Sequence, residues 1–470
     1  MNPIERISKQ TKLAILAAGM MSFMGILVET SMNVTFPQLI REFKTPLSTV
    51  QWITTGYLLL VTIVMGCTAF VMRRFAAKRI FIFAVLNFVV GTLLCAVAPN
   101  FFLLIIGRLL QAISTGLSTP LMFHIILMKI PVRRRGTYVG IASMIIALAP
   151  ALGPTYGGVL TACLSWRFIF WIVIPVTFVV FWLGVHNIAI QATGDAAHFD
   201  YPGLLLLSCA FASAVWAFNQ AGIYGWLSSS FFAFLALCFV LLIALLIYNH
   251  LSRWILLDYS ILKQPAIGLG AFNYFVLQFT NIGISFVLPI YAQTVLGQNS
   301  MIAGLLLLPG SLLGAAVSPI AGRLFDRCGG FVPILIGNLS MTFGCLFFWL
   351  FHQQLTPLLI VVFYLFLRFG FNFSFGNTLS SCSLQIRKDK SADLNSMFNM
   401  LQQYAGSIGT GIMATFISTS QNSSRNLPEH VLTQLGGGND FFFLTILGIF
   451  GFLSVIHKEH LGRQKKEMIR

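Results

Sequence analysis

Residues 13–37 read LAILAAGMMSFMGILVETSMNVTFP, and this stretch decides how the rest of the chain is understood. It is the length of one bilayer crossing, since about 20 apolar residues rising 1.5 Å each traverse the hydrocarbon layer. One acid, Glu29, interrupts it, with Thr30 beside it and Asn33 one helical turn further on. An unpaired carboxylate at such a depth costs about 2.5 kcal/mol or more, which marks Glu29 as a functional candidate. A structural acid satisfied by neighbouring helices is the plainer alternative.

The composition extends that reading to the whole chain. Of 470 residues, 57% are hydrophobic and only 9% charged, with 45 Phe and a mean hydropathy of +0.85. A soluble domain carries about 25% charged residues, so this is an all-α integral membrane protein. The eight cysteines are scattered singly, without a CxxC or a metal-ligand spacing. They read as small apolar packing residues. The first apolar stretch is too long for a cleavable signal and lacks a small-residue cleavage site.

Hydropathy and length give about 14 spans, the last three at 358–381, 396–418 and 440–456. The polar, glycine-rich segment 421–440 reads as a flexible connection between the final two. An even number of crossings puts both termini on one side. Of the 29 Lys and Arg, only Arg41, Lys44, Arg167 and Arg425 fall on the opposite side, while Arg108 and Arg368 lie within spans. That asymmetry places both ends in the cytoplasm. The net charge of +16 is therefore topological, with acidic lipid headgroups rather than nucleic acid as its partner. Among the acids, Glu29 is the one read as lying deep in a span.

The chain also repeats itself weakly. GRLLQAISTG (107–116) and LRFGFNFSFG (367–376) each carry Arg at the second position and Gly eight residues later. Glu29 stands eight residues before Pro37, and Asn281 eight before Pro289. Related halves with a site between them are a transporter signature. The division that follows is a six-helix bundle over 1–190, an inserted helix pair with linkers over 191–262, and a second six-helix bundle with a cytoplasmic tail over 263–470.

Several blocks in order carry a resemblance. LVETSMNVTFPQL (27–39) places an acid before a Thr, an Asn-Val and a Pro; GRLLQ (107–111) has Arg-x-x-Gln. ALAPALGPTYGG (147–158) holds Gly-Pro and a later Gly-Gly, and WRFIFWIVIP (166–175), FDYPG (199–203) and GRLFDRCGG (322–330) follow. Along nearly its full length the chain resembles the major facilitator superfamily, and within it the 14-helix drug:proton antiporter group. The resemblance implies two pseudo-symmetric bundles that rock about a central cavity, a proton-carrying acid at Glu29, and a gating element in the fifth span. It departs from the family in AFVMRRFAAKR (69–79), where Arg73 replaces an expected Asp and Ala76 an expected Gly. Any cytoplasmic latch then falls more heavily on Asp326 and Arg327.

The residues themselves support candidate roles. Ala149, Gly153 and Gly157 recur every four residues, giving one small face for close helix contact, and Pro154 removes a backbone donor. With Gly158 they form the candidate gating element, although ordinary packing explains the same pattern. Counting from the helix ends puts Glu29 and Arg108 at similar depths, roughly 10 Å from the outer surface, with Gln111 one turn deeper and Asn33 one turn outward. Burial disfavours a charged carboxylate and a nearby guanidinium favours it, and the sequence leaves that balance open. Asn395, Asn399 and Gln402 form a polar stripe; with Asn281 and Asn372 they are candidates for the cavity wall or for interhelical glue.

The expectation is a proton-coupled transporter that exports small lipophilic, cationic compounds from the cell by alternating access. Its partners are the substrate, protons and the bilayer; it needs no cofactor or metal and acts as a monomer. A same-fold transporter of an antibiotic, lipid-like anion or metabolite is the alternative, ahead of a membrane-embedded enzyme or channel. The chain lacks a GxxxxGK[ST] phosphate loop, which argues against an ATP-driven pump.

Overall fold

A computed structural model describes residues 7–191, 199–252, 259–386, 390–423 and 427–469. Within them the chain folds into fourteen helices of 20 residues or more, joined by short helical turns. These are α1 (Lys9–Ser31), α2 (Trp52–Arg74), α3 (Ala77–Ala96), α4 (Phe101–Lys129), α5 (Val132–Cys163), α6 (Phe168–Asn187) and α7 (Tyr201–Tyr224). Then follow α8 (Ser229–Leu251), α9 (Pro265–Thr294), α10 (Leu308–Cys328), α11 (Phe331–Leu350), α12 (Pro357–Ser383), α13 (Ser391–Ser423) and α14 (Glu429–Ile469). Thirteen spans are long and apolar enough to cross a membrane, and α13 is not among them. Its length suffices, but buried polar groups such as Gln403, Ser407, Thr410 and Thr415 dilute its hydropathy. Those groups face protein rather than lipid.

Helix ends follow local chemistry. Ser8, Asn100, Ser228 and Thr356 each accept a backbone N–H of the first turn, satisfying a donor that no intrahelical carbonyl can reach. Asp200 caps α7 through the Gly203 amide at 2.9 Å and also accepts from the Tyr248 hydroxyl at 2.7 Å. It thereby ties the start of α7 to the end of α8.

In the first half α1 packs against α4, α5 and α6, α3 against α4 and α6, and α2 against α4. In the second half α9 packs against α12, α13 and α14, and α11 against α12 and α14. The α7–α8 pair joins this body through α7, which rests on α13 and α2. The buried residues of α8 are Phe231, Cys238 and Leu245, one line at heptad spacing, while Phe239, Val240, Leu246 and Ile247 are exposed. An apolar exposed surface of this kind is a lipid-facing one. The eight cysteines are unpaired; Cys95, Cys238, Cys345 and Cys382 are buried, whereas Cys163, Cys209 and Cys328 are exposed.

The segment 421–440 departs from expectation. Its residues 429–440 are helical rather than a flexible connection, because α14 starts at Glu429 and runs on through Gly436, Gly437 and Gly438, while 424–426 lie outside the described residues. These glycines let neighbours approach. A Cβ added at Gly436 would lie 2.7 Å from the Ile417 Cα, and one at Gly437 would lie 2.9 Å from the Tyr291 ring. A consequence is that Asp440 sits twelve residues inside a helix and is fully buried. Glu29 is therefore not the one acid deep in a span. The linker segments 192–198 and 253–258, and the charged residues Arg6, Arg253, Arg387, Lys388, Arg425 and Arg470 of the topology count, lie outside the described residues.

Candidate functional site

The site is built at the end of α1. The Thr30 and Ser31 hydroxyls bond back to the carbonyls of Ile26 and Leu27, and the helix then tightens into a 3-10 turn over Met32–Val34. Ser31 Oγ also donates to the Gly153 carbonyl of α5 at 2.9 Å. This close approach depends on glycine. A Cβ at Gly153 would lie 2.8 Å from Thr30 Cβ, and one at Gly157 would lie 2.9 Å from the Ser31 backbone. The α5 glycine face thus seats directly against the turn that presents Glu29.

Glu29 is 6% exposed. Among the described residues its carboxylate makes no ion pair and no hydrogen bond, although it lies within electrostatic range of Arg108 and Tyr57. Arg108 is fully buried and largely engaged elsewhere. Its Nη1 donates to Gln111 Oε1 at 2.9 Å, its Nε to the Ile53 carbonyl at 3.3 Å, and its guanidinium sits 4.3 Å over the Tyr57 ring. Its Nη2 has no hydrogen-bond partner among the described residues. The pair is thus set up but not closed.

Neighbouring helices fix this arrangement. Gln111 Nε2 donates to Thr92 of α3 at 2.8 Å, and the Tyr57 hydroxyl donates to Thr115 at 2.6 Å. Asn33 accepts from Thr54 at 3.2 Å, tying the turn after α1 to α2. Sequence reasoning named Glu29, Arg108, Gln111 and Asn33 but missed Tyr57, Thr92, Thr54 and Thr115. Hydroxyls and a tyrosine in an apolar span look like ordinary packing until their partners are seen.

The second half holds a different arrangement. Arg368 Nη1 donates to Asn281 Oδ1, its guanidinium lies 5.4 Å from the Phe371 ring, and its Nε is unpartnered among the described residues. Asn372 is used structurally, donating to the Arg368 carbonyl at 2.9 Å and accepting from Ser318 of α10 at 3.2 Å. Gln402 accepts from Tyr274 at 3.2 Å. Asn399 is exposed and makes no hydrogen bond to the other candidates among the described residues. Asp326 and Arg327 are exposed at the end of α10, and neither forms an ion pair among the described residues.

Contacts between the halves gather near the end of the molecule that carries the turns after Phe43 and Thr294, the distal end. There Gln293 donates to the Val34 carbonyl at 2.8 Å, Ser300 to the Gly158 carbonyl at 3.2 Å, and Thr155 to the Gly304 carbonyl at 3.4 Å. Deeper in, Thr55 and Thr410 share a 2.8 Å hydrogen bond, and Ser407 donates to the Thr55 carbonyl at 2.9 Å. Gly158 and Pro154 of α5 therefore touch the opposite half directly.

The sequence profile described as Major Facilitator Superfamily matches residues 16–410. The chain belongs to that superfamily. Among curated proteins it is 31% identical to a lincomycin resistance protein, LmrB, of Listeria innocua, over 94% of this chain and 95% of that one. It is 28% identical to a multidrug resistance protein B homolog of Mycobacterium tuberculosis, over 87% of this chain and 76% of the relative. A riboflavin transporter, RibZ, of Clostridioides difficile is 24% identical over 90% of this chain and 91% of its own. Among solved structures, a POT peptide transporter superposes with a TM-score of 0.69 at 16% identity, covering 95% of both chains. A bacterial homologue of the lysosomal transporter Spinster, solved inward-facing and unoccupied, gives 0.68 at 15% identity, over 95% of this chain and 97% of that one. These two likenesses concern the fold. Membership and relatives together make this a multi-pass membrane transporter of small molecules.

Proposed function

We propose that the protein exports small lipophilic, cationic compounds across the cytoplasmic membrane in exchange for protons. One observation carries this reading: a buried carboxylate, Glu29, with no fixed partner, beside a guanidinium with one unused N–H group. A carboxylate so placed has three ways to be satisfied, namely a proton, the Arg108 guanidinium or a substrate cation, and each excludes the others. Competition between proton and substrate at one group is sufficient for exchange. With one such group in the cavity the simplest stoichiometry is one proton per turnover. Each pH unit across the membrane then supplies about 1.36 kcal/mol.

The bundles 1–190 and 263–470 rock about this site as a monomer, the pair in 191–262 riding on the second bundle, with both termini cytoplasmic. Gly153, Pro154, Gly157 and Gly158 form the bearing, since they contact α1 on one side and the 300–305 helix on the other. Asn33, Gln111, Asn281, Asn372, Asn399 and Gln402 contribute polar wall, and Asp326 with Arg327 takes part in the cytoplasmic closure that alternates with the distal one. The relative named for lincomycin resistance favours a second reading of the substrate, as an antibiotic, on the same exchange mechanism.

The test is efflux of a fluorescent monocation from vesicles under an imposed pH gradient. Loss of proton-driven efflux in Glu29→Gln with retained folding is expected; unchanged proton-driven efflux would sink the mechanism. A screen that includes lincomycin-like and flavin compounds separates the substrate readings.

A further inference from the structure

Asp440 is the second acid buried in a span, and the exchange mechanism above does not use it. Both of its carboxylate oxygens are inaccessible and without a hydrogen-bond partner among the described residues. Its face of α14, read at helical spacing, carries Thr433, Gly436, Gly437, Phe443 and Leu444. Gly436 abuts the backbone of Ile417 on α13, Phe443 packs on Phe416 and Phe279, and Leu444 approaches Gly283 of α9. The acid therefore lies in the seam between α14, α9 and α13, not in the Glu29 group.

Among the described residues the seam offers no cation. In α9 the titratable side chains are Tyr274 and Tyr291, in α11 only Cys345, and in the buried part of α13 only Tyr404, which stacks on Phe211 of α7. Tyr291 abuts Gly437 and donates its hydroxyl to the His352 carbonyl. His352 packs on Gly438, on the other side of α14 from Asp440. On α14 itself Glu429 and His430 lie at the exposed start, and Lys458 reaches Ser381 at the opposite end. Burying an ionised carboxylate in an apolar seam that supplies neither donor nor cation is costly.

The same seam is mechanically tied to the closure of the distal end. Ile417 lies two turns beyond Thr410 on α13, and Thr410 with Ser407 makes the bonds to Thr55 of the first half. Opening the distal end breaks the α13–α2 bonds, and a shift of α13 against α9 and α14, its neighbours in the same bundle, would loosen the packing that seals Asp440. We propose that Asp440 is a second proton-binding site, which holds its proton while the distal end is closed and gives it up when that end opens. On opening, the carboxyl O–H bond breaks, the proton passes to water at the distal face, and the carboxylate is hydrated. Because the closed state binds the proton more tightly, acid on the distal side favours closure and alkali favours opening. This switch is independent of proton carriage by Glu29.

The experiment uses the full-length Glu29→Gln protein in vesicles, with and without Asp440→Asn. Hydrogen exchange is followed in peptides covering 293–305 and 404–418. Comparing the two proteins at each pH cancels the intrinsic pH dependence of exchange. Equal protection is expected at low pH, followed by faster exchange where Asp440 is retained, rising by up to about tenfold per pH unit. A constant ratio across pH would overturn the proposal. A second readout needs no variant. With carbonyl-13C aspartate, a protonated-carboxyl infrared band should persist at neutral pH in the closed protein, and its absence would equally overturn the site.

Discussion

The two halves place an arginine at matching positions of the repeat and treat it in opposite ways. In the second half Arg368 is bonded to Asn281, a neutral partner that cannot release or bind a proton, so the contact has one state. In the first half the matching partner is Glu29, and Arg108 spends its bonds on Gln111 and Ile53, leaving an acid unengaged. One half is a fixed strut and the other an open circuit. In the proposed exchange the two halves supply a common frame, while one asymmetric substitution, acid against amide, supplies the chemistry.

The largest expected effect comes from removing that asymmetry. Across a one-unit pH gradient, one-for-one exchange should sustain about a tenfold substrate gradient. Glu29→Gln should let the gradient collapse to about one, measured as steady-state accumulation in vesicles. Moving the acid rather than removing it sharpens the comparison. The double variant Glu29→Gln/Asn281→Glu should fail to recover coupled efflux, because Arg368 is already directed at position 281 and would close on the new carboxylate. Recovery would mean that the halves are interchangeable.

Packing, unlike chemistry, is shared between the halves. A Cβ at Gly91 would lie 2.5 Å from the Gly107 carbonyl oxygen, and one at Gly337 would lie 2.6 Å from that of Gly370. Gly91→Ala and Gly337→Ala should each cost about 1–3 kcal/mol by overpacking, seen as comparable drops in the thermal unfolding temperature. A large difference between them would show that the two close helix contacts are not equally tight. The smallest effect belongs to the distal rim, where Glu42 bridges Arg167 at 2.7 Å and accepts from Trp166 at 2.7 Å. Both charged groups are about one-third exposed, so Glu42→Gln should cost at most about 1 kcal/mol in the same assay.

Much of this was legible in the chain. Hydropathy and length gave fourteen helices, and the run of motifs from LVETSMNVTFPQL to GRLFDRCGG pointed to the superfamily to which the chain belongs. Depth counting put Glu29 and Arg108 at similar depths, and in the fold Glu29 lies within electrostatic range of Arg108 without bonding to it. What one sequence could not show was partner choice. Nothing in GRLLQ says that Arg108 turns to Gln111 rather than to Glu29, because that depends on Ile53 and Tyr57 arriving from α2. The three glycines before Asp440 misled for a related reason. Locally they signal flexibility, and only the close approach of Ile417 and Tyr291 explains them as helix-packing residues, with an acid buried just beyond.

If proton and substrate compete for Glu29, binding of substrate must expel the proton. Purified protein in weak buffer with a pH-sensitive dye is titrated with a transported monocation at a pH where the unloaded site is protonated. Release of about one proton per bound substrate is expected in the wild type and none in Glu29→Gln, with Asp440→Asn behaving as wild type. Substrate binding with no proton release in the wild type, or undiminished release in Glu29→Gln, would contradict it.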